Sequence, residues 1–93
     1  RSWGDPQHPC LMISCGDNSC LEILPGDEAV SRGGALAHLA FATAKVDELS
    51  ERVREAGYEI AYEPYDTDAI GAPIHIAFCY GPIGEYIEFF WEK

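Results

Sequence analysis

The sequence predicts an α+β fold in which a cupped sheet is covered by a helix on one side. One amphipathic helical segment lies among several short β-prone runs, and from residue 36 onward the predicted order is β-α-β-β-β. Two strands also resemble each other, because Cys20–Leu24 and Tyr86–Phe90 each carry a glutamate at the centre of an apolar run. This likeness predicts an internal repeat whose first copy lacks its opening strand, its helix and most of a second strand, a gap of roughly 30 residues.

The first predicted element is a β-hairpin. The runs Cys10–Cys15 and Ser19–Leu24 are β-prone and flank a Gly-Asp-Asn cluster typical of tight turns. With the Asp-Asn pair as a two-residue loop, Cys15 would lie opposite Cys20, and a disulfide between them would be geometrically conceivable. Because the sequence shows no secretory features, we expect the four cysteines to be reduced core residues of a cytoplasmic protein.

A linker, a strand and a helix follow. Pro25–Ala35 is rich in Gly, Asp, Glu and Ser and is predicted to be a surface linker, while Leu36–Thr43 is predicted to be a strand. From residue 44 to residue 56, apolar side chains recur at steps of three and four with charged side chains between them, which indicates an amphipathic helix. Gly57 is the residue expected at the C-terminal cap of this helix.

Three further strands complete the chain, and they are predicted over Tyr58–Tyr65, Pro73–Tyr80 and Glu85–Trp91. Between the first two, Asp66–Ala72 has the composition of a loop. The turn Gly81–Gly84 is short enough to join antiparallel neighbours.

The 93 residues are therefore expected to contain one complete β-α-β-β-β module and the last strands of another. Residues 1–35 hold the C-terminal strands of a first module and the linker, and residues 36–93 form a complete second module. An incomplete first module would leave a sheet edge and apolar surface uncovered, so we expect a homodimer.

The composition argues against two classes of partner. The formal net charge of −10 would repel nucleic acid and anionic membrane surfaces. No apolar run is long enough to span a bilayer.

Three predicted strands each carry one polar residue that could bind a metal. Side chains alternate between the two faces of a strand, which places Glu22, His38 and Glu88 on the less bulky faces of theirs. Burial of a carboxylate is costly unless a cation or several donors compensate it. Together these residues predict a metal held inside the cupped sheet.

Four further residues are expected to line the same cavity. In the strand before the last turn, the larger apolar side chains are expected to face the helix, which turns His75 and Cys79 toward the cavity. Tyr86 and Phe90 share the face of Glu88. We expect His75 to line the pocket rather than to act as a ligand.

The sequence resembles a known superfamily. The run from His38 through the helix, followed by Gly57-Tyr58-Glu59-Ile60, Glu63-Pro64 and Gly81-Pro82-Ile83-Gly84-Glu85-Tyr86-Ile87-Glu88, is similar to the second half of a vicinal oxygen chelate protein. That superfamily includes glyoxalase I (lactoylglutathione lyase), bleomycin-resistance proteins, extradiol dioxygenases and methylmalonyl-CoA epimerase. The Gly-Pro-x-Gly-x-x-x-Glu ending is fairly specific to the superfamily but not to one activity.

The resemblance implies a fold and a metal site. The fold pairs two βαβββ modules into a cupped, barrel-like mixed sheet with helices outside, and a divalent metal is bound by the first and last strands of each module. By position, His38 and Glu88 correspond to the ligands of the second module, and Glu22 to the last-strand ligand of the first. The metal would be Zn²⁺, Ni²⁺, Co²⁺, Fe²⁺ or Mn²⁺, among which ligand type does not choose.

The resemblance also implies an activity, most directly that of a glyoxalase-type lyase or isomerase. A small-molecule substrate would bind the metal through two adjacent oxygens, and Glu88 would be the proton-transferring base. A metal-free, ligand-sequestering protein of the bleomycin-resistance type, a CoA-thioester epimerase and a ring-cleaving dioxygenase remain alternatives. With six Lys and Arg against sixteen Asp and Glu, the chain has few groups to bind the several anionic groups of glutathione or CoA.

Overall fold

The computed structural model describes residues 1–26 and 37–93. The chain divides into two compact units, Arg1–Gly33 and Gly34–Lys93, and each unit contains its own sheet. Most of the predicted linker Pro25–Ala35 and the predicted strand start at Leu36 lie outside the described residues.

The first unit contains a three-stranded antiparallel sheet. Its strands β1 (Ser2–Trp3), β2 (Cys10–Ser14) and β3 (Cys20–Ile23) lie side by side in that order. Strands β2 and β3 form the hairpin that the sequence predicts.

The register of this hairpin differs from the prediction by one residue. Ser14, not Cys15, lies opposite Cys20. The Cys15 N–H donates to the Ser19 carbonyl at 2.9 Å, which closes a three-residue loop. Side-chain alternation then puts Cys15 and Cys20 on opposite faces of the hairpin, so a disulfide between them is not favoured. All four cysteines, which lie in the described part of the chain, are free thiols.

The backbone preferences of the loop residues explain the shifted register. A two-residue hairpin loop of the commonest type needs a positive φ at both Asp17 and Asn18. In the three-residue loop the positive φ angles are 92° at Gly16 and 70° at Asn18. Glycine and asparagine are the residues that adopt this conformation at the lowest cost.

The second unit contains one helix on a four-stranded sheet. Its elements are β4 (Leu39–Ala42), α1 (Val46–Glu55), β5 (Ile60–Thr67), β6 (Ile74–Tyr80) and β7 (Tyr86–Glu92). The strand order is β4-β7-β6-β5, with β4 parallel to β7 and the other pairs antiparallel. The predicted α+β fold is confirmed, and β5 extends two residues into the predicted loop.

Helix α1 ends in the predicted glycine cap. Gly57 has a φ angle of 93°. Its N–H donates to the Arg54 carbonyl at 3.0 Å, and the Tyr58 N–H donates to the Val53 carbonyl at 3.2 Å. These two bonds form a Schellman motif, which satisfies carbonyls that the helix end leaves without partners.

No helix in residues 1–26 and 37–93 has the length and apolar content that a bilayer-spanning helix needs.

Helix α1 packs against β5, β6 and β7. Val46 and Ser50 are the helix residues that become fully buried. By the argument made for the strand before the last turn, the bulky face of β4 would also lie against the helix, but it does not. Leu39 and Phe41 remain about half exposed, because α1 lies over the other three strands.

The facing predicted for β6 is also wrong. His75 contacts Asp47 of α1 at 3.0 Å, while Phe78 packs against aromatic rings on the opposite side of the sheet. By alternation Ala77 and Cys79 face the helix with His75, where their small side chains allow a close approach. Because residues on both faces of β6 are buried, side-chain size did not distinguish the two faces.

Candidate functional site

The parallel pairing of β4 with β7 brings His38 and Glu88 together. Ala40 lies opposite Glu88, and His38 precedes Ala40 by two residues, which puts its side chain on the same face. The imidazole Nε2 and the carboxylate Oε1 are 2.9 Å apart, an ordinary hydrogen-bond distance for an N–H donor. Glu88 is only 7% exposed. Two predicted ligands thus form a largely buried pair on the side of the sheet that we call the Glu88 face.

Aromatic rings hold the imidazole of this pair in one orientation. His38 meets Phe78 and Tyr86 edge to face, with centroid distances of 5.5 Å and 6.0 Å. Phe78 and Tyr86 stack on each other at 4.9 Å. Both geometries are ones that the charge distribution of aromatic rings favours. Burial, with smaller contributions from neighbouring tyrosines and Glu88, raises the pKa of Tyr86.

Tyr62 and Tyr65 belong to the same face, although the sequence predicts no role for them. They lie opposite Phe78 and Ile76 of β6, with an irregular register between them. Burial and then the charge of Glu88 raise the pKa of Tyr65. Regular alternation would put residues three apart on opposite faces, and the irregular pairing brings them to one face. In the sequence, only the two tyrosines of β5 could have indicated that this strand contributes to the Glu88 face.

The four residues predicted to line the cavity lie on two different faces of the sheet. Tyr86 and Phe90 lie on the Glu88 face, as alternation along β7 predicts. His75 and Cys79 lie on the face covered by α1, and burial raises the pKa of the Cys79 thiol. The prediction that His75 and Cys79 face the cavity is therefore wrong.

His75 instead belongs to a charged cluster that joins α1, β5 and the C-terminus. Its Nδ1 is 2.8 Å from an oxygen of Asp66, and its Nε2 is 3.0 Å from an oxygen of Asp47. Asp66 also pairs with Lys93 Nζ at 2.7 Å. Hydrogen bonds from both ring nitrogens require the imidazolium form. The pKa of His75 is raised by Asp47 and then Asp66, and the pKa of Asp66 is lowered by Lys93 and then His75.

Residues 3–89 match the profile of the Glyoxalase/Bleomycin resistance protein/Dioxygenase superfamily. The chain belongs to this superfamily. The match includes the hairpin of the first unit and nearly all of the β-α-β-β-β unit, so the resemblance to vicinal oxygen chelate proteins is confirmed at the level of the superfamily. No curated protein sequence matches the chain.

Glu22, the third predicted ligand, lies in the first unit. It is half-buried in β3, opposite Met12. Its part in a metal site stays a prediction. In residues 1–26 and 37–93, no group of three or more His, Cys, Asp and Glu side chains is arranged to hold a metal ion. The described residues of this superfamily member thus bring together two predicted ligands, His38 and Glu88.

The His38–Glu88 pair fits two ligands of the divalent metals that superfamily members often use. Imidazole nitrogen and carboxylate oxygen are both ligands of Zn²⁺ and of the neighbouring first-row metals. The two donor atoms lie 2.9 Å apart on one face of the sheet, so the two side chains would hold one ion together.

Proposed function

We propose that the chain provides the second-module half of a metal-dependent enzyme of the glyoxalase type, a lyase or isomerase. The observation that carries this proposal is the buried His38–Glu88 pair. An imidazole and a carboxylate face each other across β4 and β7, and these two residues are the ones that the sequence resemblance predicts as metal ligands. The substrate would be a small molecule with two adjacent oxygens.

In this proposal each site residue has a separate task. His38 and Glu88 bind a divalent metal through the imidazole and the carboxylate. The metal, when bound, supplies Lewis-acid polarisation of the vicinal oxygens. The Glu88 carboxylate removes a proton from a carbon beside a carbonyl and returns it to the neighbouring carbon. The rings of Phe78 and Tyr86 keep the His38 imidazole in position.

The second candidate is a ligand-sequestering protein of the bleomycin-resistance type. The aromatic residues on the Glu88 face favour it, because they could hold a ligand without any reaction. A CoA-thioester epimerase or a ring-cleaving dioxygenase could use the same pair of ligands. The CoA reaction is less favoured, since the chain has only six Lys and Arg.

We also propose that the protein is a cytoplasmic homodimer. Free thiols at all four cysteines suit a reducing compartment. A second copy could supply the ligands that the described residues of one chain do not bring together.

The enzyme proposal is tested by measuring metal binding and turnover in the same preparations. The purified chain is reconstituted with Zn²⁺, Ni²⁺, Co²⁺, Fe²⁺ or Mn²⁺, and bound metal, thermal stability and hemithioacetal isomerisation are measured. We expect one metal to bind and to raise the melting temperature. His38→Ala should abolish both effects, whereas His8→Ala, which alters an exposed histidine of the first unit, should not. Failure of the reconstituted chain to bind any of these metals would exclude the enzyme.

A further inference from the structure

Five aromatic rings form a continuous group around the His38–Glu88 pair. We call this group the aromatic wall, and its members are Tyr62, Tyr65, Phe78, Tyr80 and Tyr86. The central contact is the Phe78–Tyr86 stack, with ring planes 15° apart. Tyr62 meets Phe78 at 5.9 Å and Tyr80 meets Tyr86 at 5.3 Å, so the wall extends the stack on both sides.

The outer members of the wall keep ring surface open to a ligand. Tyr62 is 57% exposed, and Tyr65 and Tyr80 are about 40% exposed. Their neighbours Phe78 and Tyr86 are half-buried, and Glu88 is buried. Open aromatic surface thus lies next to the two rings that contact His38. Tyrosine rings bind planar groups by stacking or by edge contacts.

The basic side chains of the second unit lie away from the wall. Within residues 37–93, the basic side chains are Lys45, Arg52, Arg54 and Lys93. Lys45 directly precedes α1, and the two arginines belong to it. Arg54 pairs with Glu51 and Glu63, and Lys93 pairs with Asp66 in the His75 cluster. A ligand bound at the wall would therefore meet the carboxylate of Glu88 and phenol hydroxyls, a poor environment for several anionic groups.

We propose that the aromatic wall selects the substrate, which carries a planar aromatic ring next to its two vicinal oxygens and has no cluster of anionic groups. This inference rests on the proposed function for the position of the oxygens beside His38 and Glu88. The ring of the substrate packs against Tyr62 and Phe78. The wall thus changes the affinity for the ligand, and metal-free protein has the same preference for a ligand with an aromatic ring.

The test compares two ketones that differ in one group. 2-Hydroxyacetophenone and hydroxyacetone carry the same vicinal oxygens, but the first has a phenyl group where the second has a methyl group. Their affinities for the metal-free chain, kept in EDTA, are measured by ligand-observed NMR, with glutathione as the anionic probe. We expect the phenyl ketone to bind about tenfold more tightly than the methyl ketone, and glutathione to bind least.

Variants of the wall provide the controls. Tyr62→Leu keeps apolar bulk but removes a ring that contacts the substrate, and it should reduce the phenyl preference by about fivefold. Tyr80→Leu, on the far side of the Phe78–Tyr86 stack, should reduce it less. Tyr58→Leu changes an exposed tyrosine outside the wall and should leave the preference unchanged. Circular dichroism shows which variants are folded. Equal or undetectable binding of both ketones by the folded wild-type chain, or tighter binding of glutathione, would overturn the proposal.

The outcomes separate this inference from the proposed function. If the chain prefers the phenyl ketone but binds none of the metals, the proposed enzyme function is contradicted and substrate selection by the aromatic wall is supported. Metal binding and isomerisation without a phenyl preference contradict the wall but support the enzyme.

Discussion

Individual side chains decide whether buried polar groups in this fold are satisfied. In the described part of the chain, every buried side-chain nitrogen and oxygen has a hydrogen-bond partner. The His38–Glu88 contact is the most consequential case, because an unpartnered buried carboxylate would cost stability. In the proposed function, these two atoms are also the ones that would bind a divalent metal.

Glu88→Gln separates the structural and the metal-binding parts of this contact. The amide oxygen can still accept a hydrogen bond from the imidazole, so the free energy of unfolding should change by less than about 1.5 kcal/mol. Loss of the carboxylate charge should lower metal affinity by at least about tenfold. Calorimetric titration with the preferred metal and urea unfolding measure the two effects. Glu59→Gln, at an exposed glutamate of the same unit, is the control; equal metal affinities of the two variants would remove Glu88 from the ligand set.

The turn between β6 and β7 contains two glycines of the Gly-Pro-x-Gly motif, Gly81 and Gly84. The Gly81 N–H donates to the Glu85 carbonyl at 2.9 Å, and a Cβ at Gly81 would require the Glu85 side chain to move. Oε1 of that side chain also accepts the Ile83 N–H at 3.1 Å. Gly84 adopts a φ of 86°. The turn therefore directs the chain into β7, the strand that carries Glu88.

Substitution at Gly84 tests the strained position of this turn. Gly84→Ala should reduce the free energy of unfolding by about 1–2 kcal/mol, because alanine disfavours a left-handed backbone. Gly84→Asn should cost less, because asparagine tolerates this conformation better. Urea unfolding followed by circular dichroism measures both variants. Equal costs for the two substitutions would contradict the left-handed backbone conformation as the cause, since a Cβ at Gly84 has no neighbour within 4 Å.

The His75 cluster connects elements through charge and should make stability depend on pH. The pKa of His75 is raised above 6.5, so its stabilisation is complete below that ordinary value and is lost as pH rises through the raised one. The pKa of Asp66 is lowered below 3.8, so its stabilisation is present above that value and is lost as pH falls through the lowered one.

His75→Gln should remove the alkaline part of this dependence. The stability difference between wild type and variant should be larger at about pH 5.5 than at about pH 9, because only the imidazolium donates to both carboxylates. The measurement is the urea midpoint at each pH. His8→Gln, at an exposed histidine of the first unit, serves as the control. A difference that does not vary with pH would contradict the charged cluster.

At the scale of the whole molecule, apolar surface remains exposed. In the second unit, β4 is an edge strand of its sheet, and Leu39 and Phe41 are about half exposed on the side that α1 leaves open. In the first unit, Ile13, Leu21 and Ile23 are also about half exposed. Contiguous apolar surface and an open sheet edge are features that favour association.

The proposed homodimer follows from this surface and can be measured directly. Light scattering after size exclusion should give twice the mass of one chain. Phe41→Asp should weaken the dimer by at least about tenfold, because it places a charge in apolar surface at the β4 edge. Tyr58→Asp, at a similarly exposed aromatic residue beyond the cap of α1, should leave the mass unchanged. A wild-type chain that remains a monomer at all concentrations would contradict the dimer.

The sequence by itself determined the order of elements from β2 onward, but not the short strand β1, and it determined the Gly57 cap and the common face of His38 and Glu88. These features depend on local periodicity and turn chemistry, which the backbone geometry of helices and strands sets without reference to distant residues. Only the tertiary structure decided the facing of β6, the bulge that brings Tyr62 and Tyr65 to one face, and the partners of His75. These depend on contacts between residues far apart in the chain, and where both faces of a strand are buried, residue type carries no information about which face the helix covers.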